Sequence, residues 1–394
     1  MFELNSQAQG ISWTSDSECF EPRVMPMDAK MQAALRLHGY LADRHWDGSA
    51  LIGPDVGIRF NYRIGRFVKS YLRNMRWNDN YRYVQAQGYW ILSNWELYRA
   101  FGQEEYRQFA VRCSEYLLAQ QRVDGAWVYP NPEWRGRIAT AEGTWGSLGL
   151  LESYRQTGDA KFLSGPQKWH EFVVQKIGFQ QVGAELAVNY FYGRTGPRFP
   201  TNSIFFLRLL AELACVTRQD AYLQLSHGLF KFLQAAQQPT GEFPYAVSGD
   251  APGKCRPHFQ CYQYNAFSCL DLMRYCELSG DTSVLPMIRN LLGFLCQGMA
   301  EDGHSYFDCG NRHREIIYHT AVLAQAFARA RHFGIDGFEI RARRAYNYVL
   351  KSQRPDGSFG FSRHDYAVFR DERSYPRSLS MILHQLLPVP SRQS

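Results

Sequence analysis

Seven short stretches of this chain mix tyrosine with arginine, amide and imidazole side chains, residue types able to grip a sugar and move a proton on it. They are Arg59-Phe-Asn-Tyr-Arg63, Tyr81-Arg-Tyr-Val-Gln-Ala-Gln87, Glu133-Trp-Arg-Gly-Arg137 leading to Glu142, Asn189-Tyr-Phe-Tyr-Gly-Arg194 leading to Arg198 and Asn202, His258-Phe-Gln-Cys-Tyr-Gln-Tyr-Asn265, Asp308-Cys-Gly-Asn-Arg-His-Arg-Glu315 leading to Tyr318 and His319, and Arg363-His-Asp-Tyr366 leading to Tyr375. Flat aromatic faces pack against pyranose C–H surfaces, while amides and guanidinium groups fork hydrogen bonds to hydroxyls and carboxylates. An epimerase or lyase acting on a uronate removes the acidic C5 proton. It needs Arg, Asn or Gln beside the carboxylate and a Tyr, His or Glu to carry the proton.

On that chemistry the expected catalytic residues are His319, Tyr318, Glu142 and Tyr264. His319 comes first because imidazole reaches both protonation states near neutral pH, and Glu315, four residues earlier, would share a helix face with it. The expected substrate contacts are Asn61, Arg63, Gln87, Arg137, Asn189, Tyr190, Arg198, Asn202, His258, Asn265, Asp308 and Arg312. Hydrolysis needs instead two carboxylates flanking the glycosidic bond. Glu142 with Asp308, Glu315, Asp365 or Asp371 would supply them, so that chemistry stays open. Any single Tyr or Arg at a helix start is more often a cap or a packing tip. The case rests on the same mixture recurring at six rims.

The elements that must position these segments repeat. A glycine closes one apolar helical stretch after another, and the marks Gly102, Gly158, Asp220, Gly280 and Gly334 fall 56, 62, 60 and 54 residues apart. A second mark follows each next helix, an acid-Gly-aromatic turn as in Asp124-Gly-Ala-Trp127, Gly241-Glu-Phe243, Asp302-Gly-His-Ser-Tyr306 and Asp356-Gly-Ser-Phe359. A period of this length means one supersecondary unit used repeatedly. Helices apolar on one side (Glu104–Gln121, Pro166–Lys176, Ala221–Gln237, Ser283–Gly298, Phe338–Ser352) alternate with helices apolar nearly all round (Tyr83–Phe101, Glu142–Thr157, Ser203–Thr217, Tyr264–Leu278, Tyr318–Phe333, Tyr375–Leu387). The second kind is buried and the first half-wet. Met27–His45 adds an amphipathic helix, and Arg59–Met75 a further helix-like stretch. The pattern predicts an all-α (α/α)6 toroid spanning 27–390 as one domain, after an irregular lead-in at 1–26, with no strand-rich segment and the three Asp-Gly turns at one end.

The Asp-Gly-aromatic turns resemble those of terpenoid cyclase and protein prenyltransferase toroids, and of glucuronyl epimerase, unsaturated glucuronyl hydrolase and polysaccharide lyase toroids. The chain is also similar to toroid proteins of bacterial exopolysaccharide clusters. The resemblance covers roughly 60–390 and specifies architecture rather than chemistry. It implies a carbohydrate-active protein of polysaccharide biosynthesis or modification, an epimerase, lyase or glycoside hydrolase acting on an anionic glycan alongside partner proteins of that pathway. An isoprenoid transferase or cyclase, and a noncatalytic glycan-binding assembly factor, remain alternatives. Against the cyclase, no Asp-x-Asp-Asp motif is present; phosphate loops and nucleophile elbows are missing too.

With 44 Lys+Arg against 37 Asp+Glu and no run of like charges, a nucleic-acid partner is not expected. The first ten residues lack a signal peptide's pattern and no long apolar stretch occurs, so the expectation is a cytoplasmic protein without a membrane span. Nine cysteines without a CxxC pair read as reduced thiols. No cofactor is expected. The one metal considered is zinc: Tyr318-His-Thr320 resembles a prenyltransferase ligand segment, but Phe259 stands where the family has Asp. His258, Cys261, Cys309, His313 and His319 are the residues from which an N/S set would be drawn.

Overall fold

A computed structural model describes residues 27–56, 64–72, 79–131, 134, 136–247, 257–365 and 369–388. The expected lead-in 1–26 lies outside these, as do Asn61 and Arg63. In chain order the helices are α1 Met27–Arg44, α2 Ile64–Tyr71, α3 Val84–Phe101, α4 Glu104–Gln120, α5 Thr140–Thr157, α6 Ala160–Phe172, α7 Pro200–Thr217, α8 Ser226–Ala236, α9 Cys261–Ser279, α10 Leu285–Leu295, α11 Ile317–Ala330, α12 Glu339–Ser352 and α13 Pro376–Leu386. Helices α3, α5, α7, α9, α11 and α13 each touch the next, and α13 touches α3, so the inner ring closes. Helices α4, α6, α8, α10, α12 and α1 pack outside it. The fold is the (α/α)6 toroid.

The repeat glycines end the inner helices as C-caps, with Gly102, Gly158 and Gly280 at φ of 65°, 69° and 71°. The acid-Gly turns do a different job. Gly125, Gly241, Gly303 and Gly357 sit at φ of 90°, 96°, 98° and 86°, and a Cβ on each would collide with a backbone carbonyl of the next outer helix, at Lys168, Asn290, Arg344 and Arg36 respectively. A glutamine at the end of the preceding outer helix locks three of the four. Gln121 Nε2 donates to the Gly125 and Gly165 carbonyls at 2.8 and 2.9 Å, Gln237 Nε2 to those of Gly241 and Met287 at 2.9 and 3.1 Å, and Gln353 Nε2 to those of Gly357 and Ala33 at 3.0 and 2.8 Å. Each glutamine thus joins its own turn to the neighbouring outer helix. The last of them reaches α1, which makes the first of the described helices the sixth outer helix. Because every turn packs in the same way on the helix that follows, the turns share one end of the ring, as the repeat phase predicts.

Two features depart from the sequence reading. Helix α6 begins at Ala160, not at Pro166, because the Asp159 carboxylate caps it by accepting the Lys161 N–H at 3.0 Å. Short strands also occur where none was expected. Strands β1 Phe179–Val182 and β2 Glu185–Val188 form a hairpin, and β3 Glu315–Ile316, β4 Ser362–Asp365 and β5 Phe369–Asp371 form a three-stranded patch. Both lie in rim loops, where backbone groups outside the helices are satisfied by pairing. Among the described residues no helix is long and apolar enough to cross a membrane.

The two kinds of glycine make separable predictions. Gly357→Ala combines a positive φ with a backbone collision and should cost at least about 1–3 kcal/mol, whereas Gly102→Ala, with open space around it, should cost only about 1 kcal/mol. Urea unfolding of both variants checks this, and equal losses would contradict the packing role of the turn.

Candidate active site

The inner helices all start at the turn end of the ring, and their first residues surround a cavity of about 420 Å³. Its depth is limited by a floor of inner-helix aromatics. Tyr89 stacks on Trp145 at 4.1 Å, and Trp145 meets Phe205 edge-on at 5.7 Å. Below that floor, toward the C-terminal ends of the inner helices, arginines and acids interlock. Arg99 pairs with Glu152 at 2.6 Å, Arg155 with Glu152 and Glu212, Arg274 with Glu212 at 3.0 Å, and Arg208 with Asp271 at 2.5 Å. Burial works against the Glu212 carboxylate, but Arg155, Arg274 and Arg208 hold it well below the usual range. That end is a closed, mutually neutralised plug, and a gap of only about 80 Å³ remains there.

Around the open cavity runs an arc of aromatic rings. Tyr83 meets Tyr129 at 6.0 Å, Tyr190 meets Phe199 at 4.9 Å, and Phe199 meets Tyr245 at 5.5 Å. Tyr245 meets Tyr264 at 5.1 Å and Phe259 at 5.2 Å. The phenols also hydrogen-bond in pairs, Tyr190 with Tyr129 and Tyr264 with Tyr245. Burial, the largest cause, raises the phenols of Tyr83, Tyr129, Tyr190 and Tyr264, so all four keep their protons at neutral pH. Tyr318, Phe361, Trp134, Asn131, Gln85, Gln260 and Arg314 complete the wall.

One carboxyl group lines this cavity among the described residues, that of Glu142. It stands in the first turn of α5, where a seam of glycines lets α3 and α5 approach until a Cβ on Gly88 would meet the Trp145 carbonyl. The close approach brings the Gln85 N–H to Glu142 Oε2 at 3.0 Å. On the other side lies Arg377, from the first turn of α13. Its guanidinium donates to Asp55 Oδ1 at 3.0 Å with Nε 2.8 Å from Oδ2, stands 3.6 Å from Glu142 Oε1, and covers the face of Tyr83 at 4.3 Å. Burial pushes the Glu142 carboxyl up, Arg377 and the Gln85 N–H push it down, and the balance is about 7. Such a group gives or takes a proton at neutral pH with little driving force lost. Two amides face the same space with an atom unused: Asn202 Nδ2 and Gln263 Oε1 are buried and have no hydrogen-bond partner among the described residues.

Of the residues expected from the sequence, Glu142, Tyr190, Asn202, Tyr264 and Tyr318 line the cavity. The others that the structure describes do not. Gln87 fastens the Leu51 backbone at 2.7 and 2.9 Å, Asn265 fastens that of Phe243 at 2.7 and 3.0 Å, and Asn189 closes the β1–β2 hairpin through Ile177 at 2.9 Å. Arg198 pairs with Glu185 at 2.6 Å, Arg137 lies over Trp134 at 4.9 Å, and Arg312 lies over Tyr306 at 5.3 Å. Asp308 caps its own turn through the Gly310 N–H at 3.0 Å, and His258 contacts Glu242 at 3.1 Å. His319 is fully buried against Phe307 at 5.7 Å, and burial followed by the Arg314 charge drives its pKa well down. No histidine lines the cavity among the described residues. Nor do Glu315 and His319 share a helix face, because residue 315 belongs to strand β3 and α11 begins at Ile317. Asp308, Glu315 and Asp371 are likewise absent from the lining.

The sequence reading held Tyr83 only within the Tyr81–Gln87 stretch, without naming it as a site residue, and passed over Arg377, Asp55, Tyr129 and Tyr245. Arg377 and Tyr83 had a usable signal, since each sits beside the first residue of an inner helix, as Glu142 and Tyr264 do.

No protein-family model matches the sequence, and no curated protein matches it. Solved structures of the same shape do. Cellobiose 2-epimerase from Bacillus thermoamylovorans superposes with a TM-score of 0.71 at 13% identity, covering 92% of this chain and 99% of its own. A D-mannose isomerase gives 0.70 at 12%, covering 93% and 99%. A possible member of the GH105 family from Salmonella enterica serovar Paratyphi A gives 0.67 at 13%, covering 96% and 98%. At these identities the likeness is one of fold.

Glu142 carries a prediction of its own. Its folded pKa of about 7 exceeds the ordinary 4.5, so the unfolded chain releases this proton first and stability drains away as pH rises from 4.5 to 7. Glu142→Gln removes that drain. Denaturant unfolding should show wild type and variant alike near pH 4.5, and the variant ahead by on the order of 1–3 kcal/mol at pH 8. A gap independent of pH would contradict the assignment.

Proposed function

We propose that the protein is a carbohydrate-active enzyme that works on an anionic, uronate-type glycan by acid–base chemistry in this cavity. The observation that carries the reading is the Glu142 carboxyl, poised at about 7 in a space walled by tyrosines. Asn202 Nδ2 and Gln263 Oε1, buried without partners among the described residues, suit sugar hydroxyls, because an unmatched buried polar group gains most from a ligand that matches it. Arg314 and Arg377 also line the space, and their guanidinium groups suit a substrate carboxylate. The fold's occurrence in a cellobiose 2-epimerase and a D-mannose isomerase adds support.

In this proposal Glu142 takes the C5 proton, and the electron pair moves into the neighbouring carboxylate as an enediolate. Tyr264 or Tyr318 then either returns a proton to the opposite face of C5 or protonates the C4 oxygen as its bond breaks. Epimerisation and elimination therefore share one apparatus. Two-carboxylate hydrolysis fits less well, because Asp55 is ion-paired with Arg377 and does not line the cavity. An isoprenoid enzyme would require an apolar funnel, whereas here Glu142, Arg314, Arg377 and the amides interrupt the aromatic wall. A role in bacterial polysaccharide biosynthesis or modification belongs to the same proposal.

The test is incubation with uronate-containing oligosaccharides in deuterated water, read by mass spectrometry and NMR. Deuterium at C5, or an unsaturated product, is expected, with Glu142→Gln slower by roughly 10²–10⁴-fold. A new reducing end formed with neither C5 exchange nor an unsaturated end would replace this reading with hydrolysis. Full activity in Glu142→Gln would refute the assignment of the base.

A further inference from the structure

Outside the cavity wall, four side chains with metal-binding atoms converge: Glu242, His258, Cys261 and Cys309, one donor atom from each lying within 4.8 Å of all the others. They come from three separate segments. Glu242 follows the turn glycine Gly241, His258 and Cys261 straddle the start of α9, and Cys309 sits in the turn whose ends pair at Asp308 and Asn311. Cys261 Sγ and Cys309 Sγ are 3.4 Å apart, well beyond a disulfide bond of about 2.05 Å. His258 Nδ1 lies 3.0 Å from Glu242 Oε1. Glu242 is a buried carboxylate, 2% exposed, in contact with the half-exposed imidazole of His258.

We infer that these four residues form a structural site for a thiophilic divalent cation, with zinc the ion that fits best. The donor set is two thiolates, one imidazole and one carboxylate, a combination that selects zinc over magnesium or calcium. A tetrahedral ion with bonds of about 2.3 Å to sulfur and about 2.0–2.1 Å to nitrogen and oxygen keeps its ligands roughly 3.3–3.8 Å apart, and the two measured separations lie close to that span. All four positions are filled by protein, which is the signature of a structural rather than a catalytic ion. On binding, each thiol gives its proton to solvent and no electrons move. Neither His313 nor His319 belongs to the set; His319 packs on Phe307.

The site has a consequence for the cavity. Phe259 and Gln260 line the cavity and are the two residues between ligands His258 and Cys261. An ion there would tie them to the Gly241 turn and to the Cys309 loop, and so fix one wall of the binding space.

The test is metal analysis of the full-length chain, stripped with a chelator, refilled with zinc and freed of excess, alongside optical spectra of the cobalt(II) form. One zinc per chain is expected, with a thiolate-to-cobalt charge-transfer band that disappears in Cys261→Ser and Cys309→Ser but persists in Cys215→Ser, at an exposed cysteine outside the cluster. Should the cysteine variants fail to fold, His258→Ala, at an exposed side chain, must still lower zinc affinity by at least about tenfold. Three results would overturn the inference: wild type that holds no stoichiometric zinc, zinc retained by the Cys261→Ser/Cys309→Ser double variant, or a Cys261–Cys309 disulfide in protein purified without reductant.

Discussion

Everything that the ring presents at its open end depends on how tightly one outer helix can be set against the last turn of another. The turn glycines allow contact with a backbone carbonyl, and the glutamines Gln121, Gln237 and Gln353 hold it by spanning two carbonyls each. A side chain at the turn would wedge the outer helices apart and, through them, the inner-helix starts that build the cavity. The Gly303 turn has Met299 where the others have glutamine, yet its glycine still meets the Arg344 carbonyl. The backbone collision is therefore the more general constraint, and the amide clasp reinforces it.

The two ends of the ring handle charge in contrasting ways. At the closed end nearly every arginine meets an acid across adjacent inner helices, and Arg155, Arg274 and Arg208 together hold the Glu212 carboxylate well below its usual range, although burial still raises Asp271 and Glu96. At the open end Glu142 is buried with only a partial share of Arg377, whose main partner is Asp55. Incomplete compensation is what raises a carboxyl into the neutral range. The candidate acid–base site thus owes its poise to how one arginine divides its charge between two acids.

Much of this was legible in the sequence, and the limits are instructive. The period of the glycines showed six hairpins because a positive φ and a close backbone approach exclude other residues. Glu142 and Tyr264 were legible because an inner-helix start must face the cavity somewhere. Which residue of that start faces inward was not legible, since neighbours on a helix point about 100° apart. Tyr318 therefore looks into the cavity while His319 packs on Phe307, and Tyr264 looks in while Asn265 fastens the Phe243 backbone. Polar residues at these starts divide between lining the cavity and tying down the loops beside it, as Gln87 and Asn189 do. Arg377 and Asp55, more than 300 residues apart in sequence, could be paired only by the closure of the ring.

The central claim is that one carboxyl group in the aromatic cavity titrates near neutral pH, and carbon NMR of protein labelled at the glutamate side-chain carboxyl tests it directly. One resonance should titrate at about 7, vanish in Glu142→Gln, and shift when an acidic oligosaccharide is added. A spectrum in which the Glu142 resonance titrates in the ordinary carboxylate range, or ignores the sugar, would contradict the account.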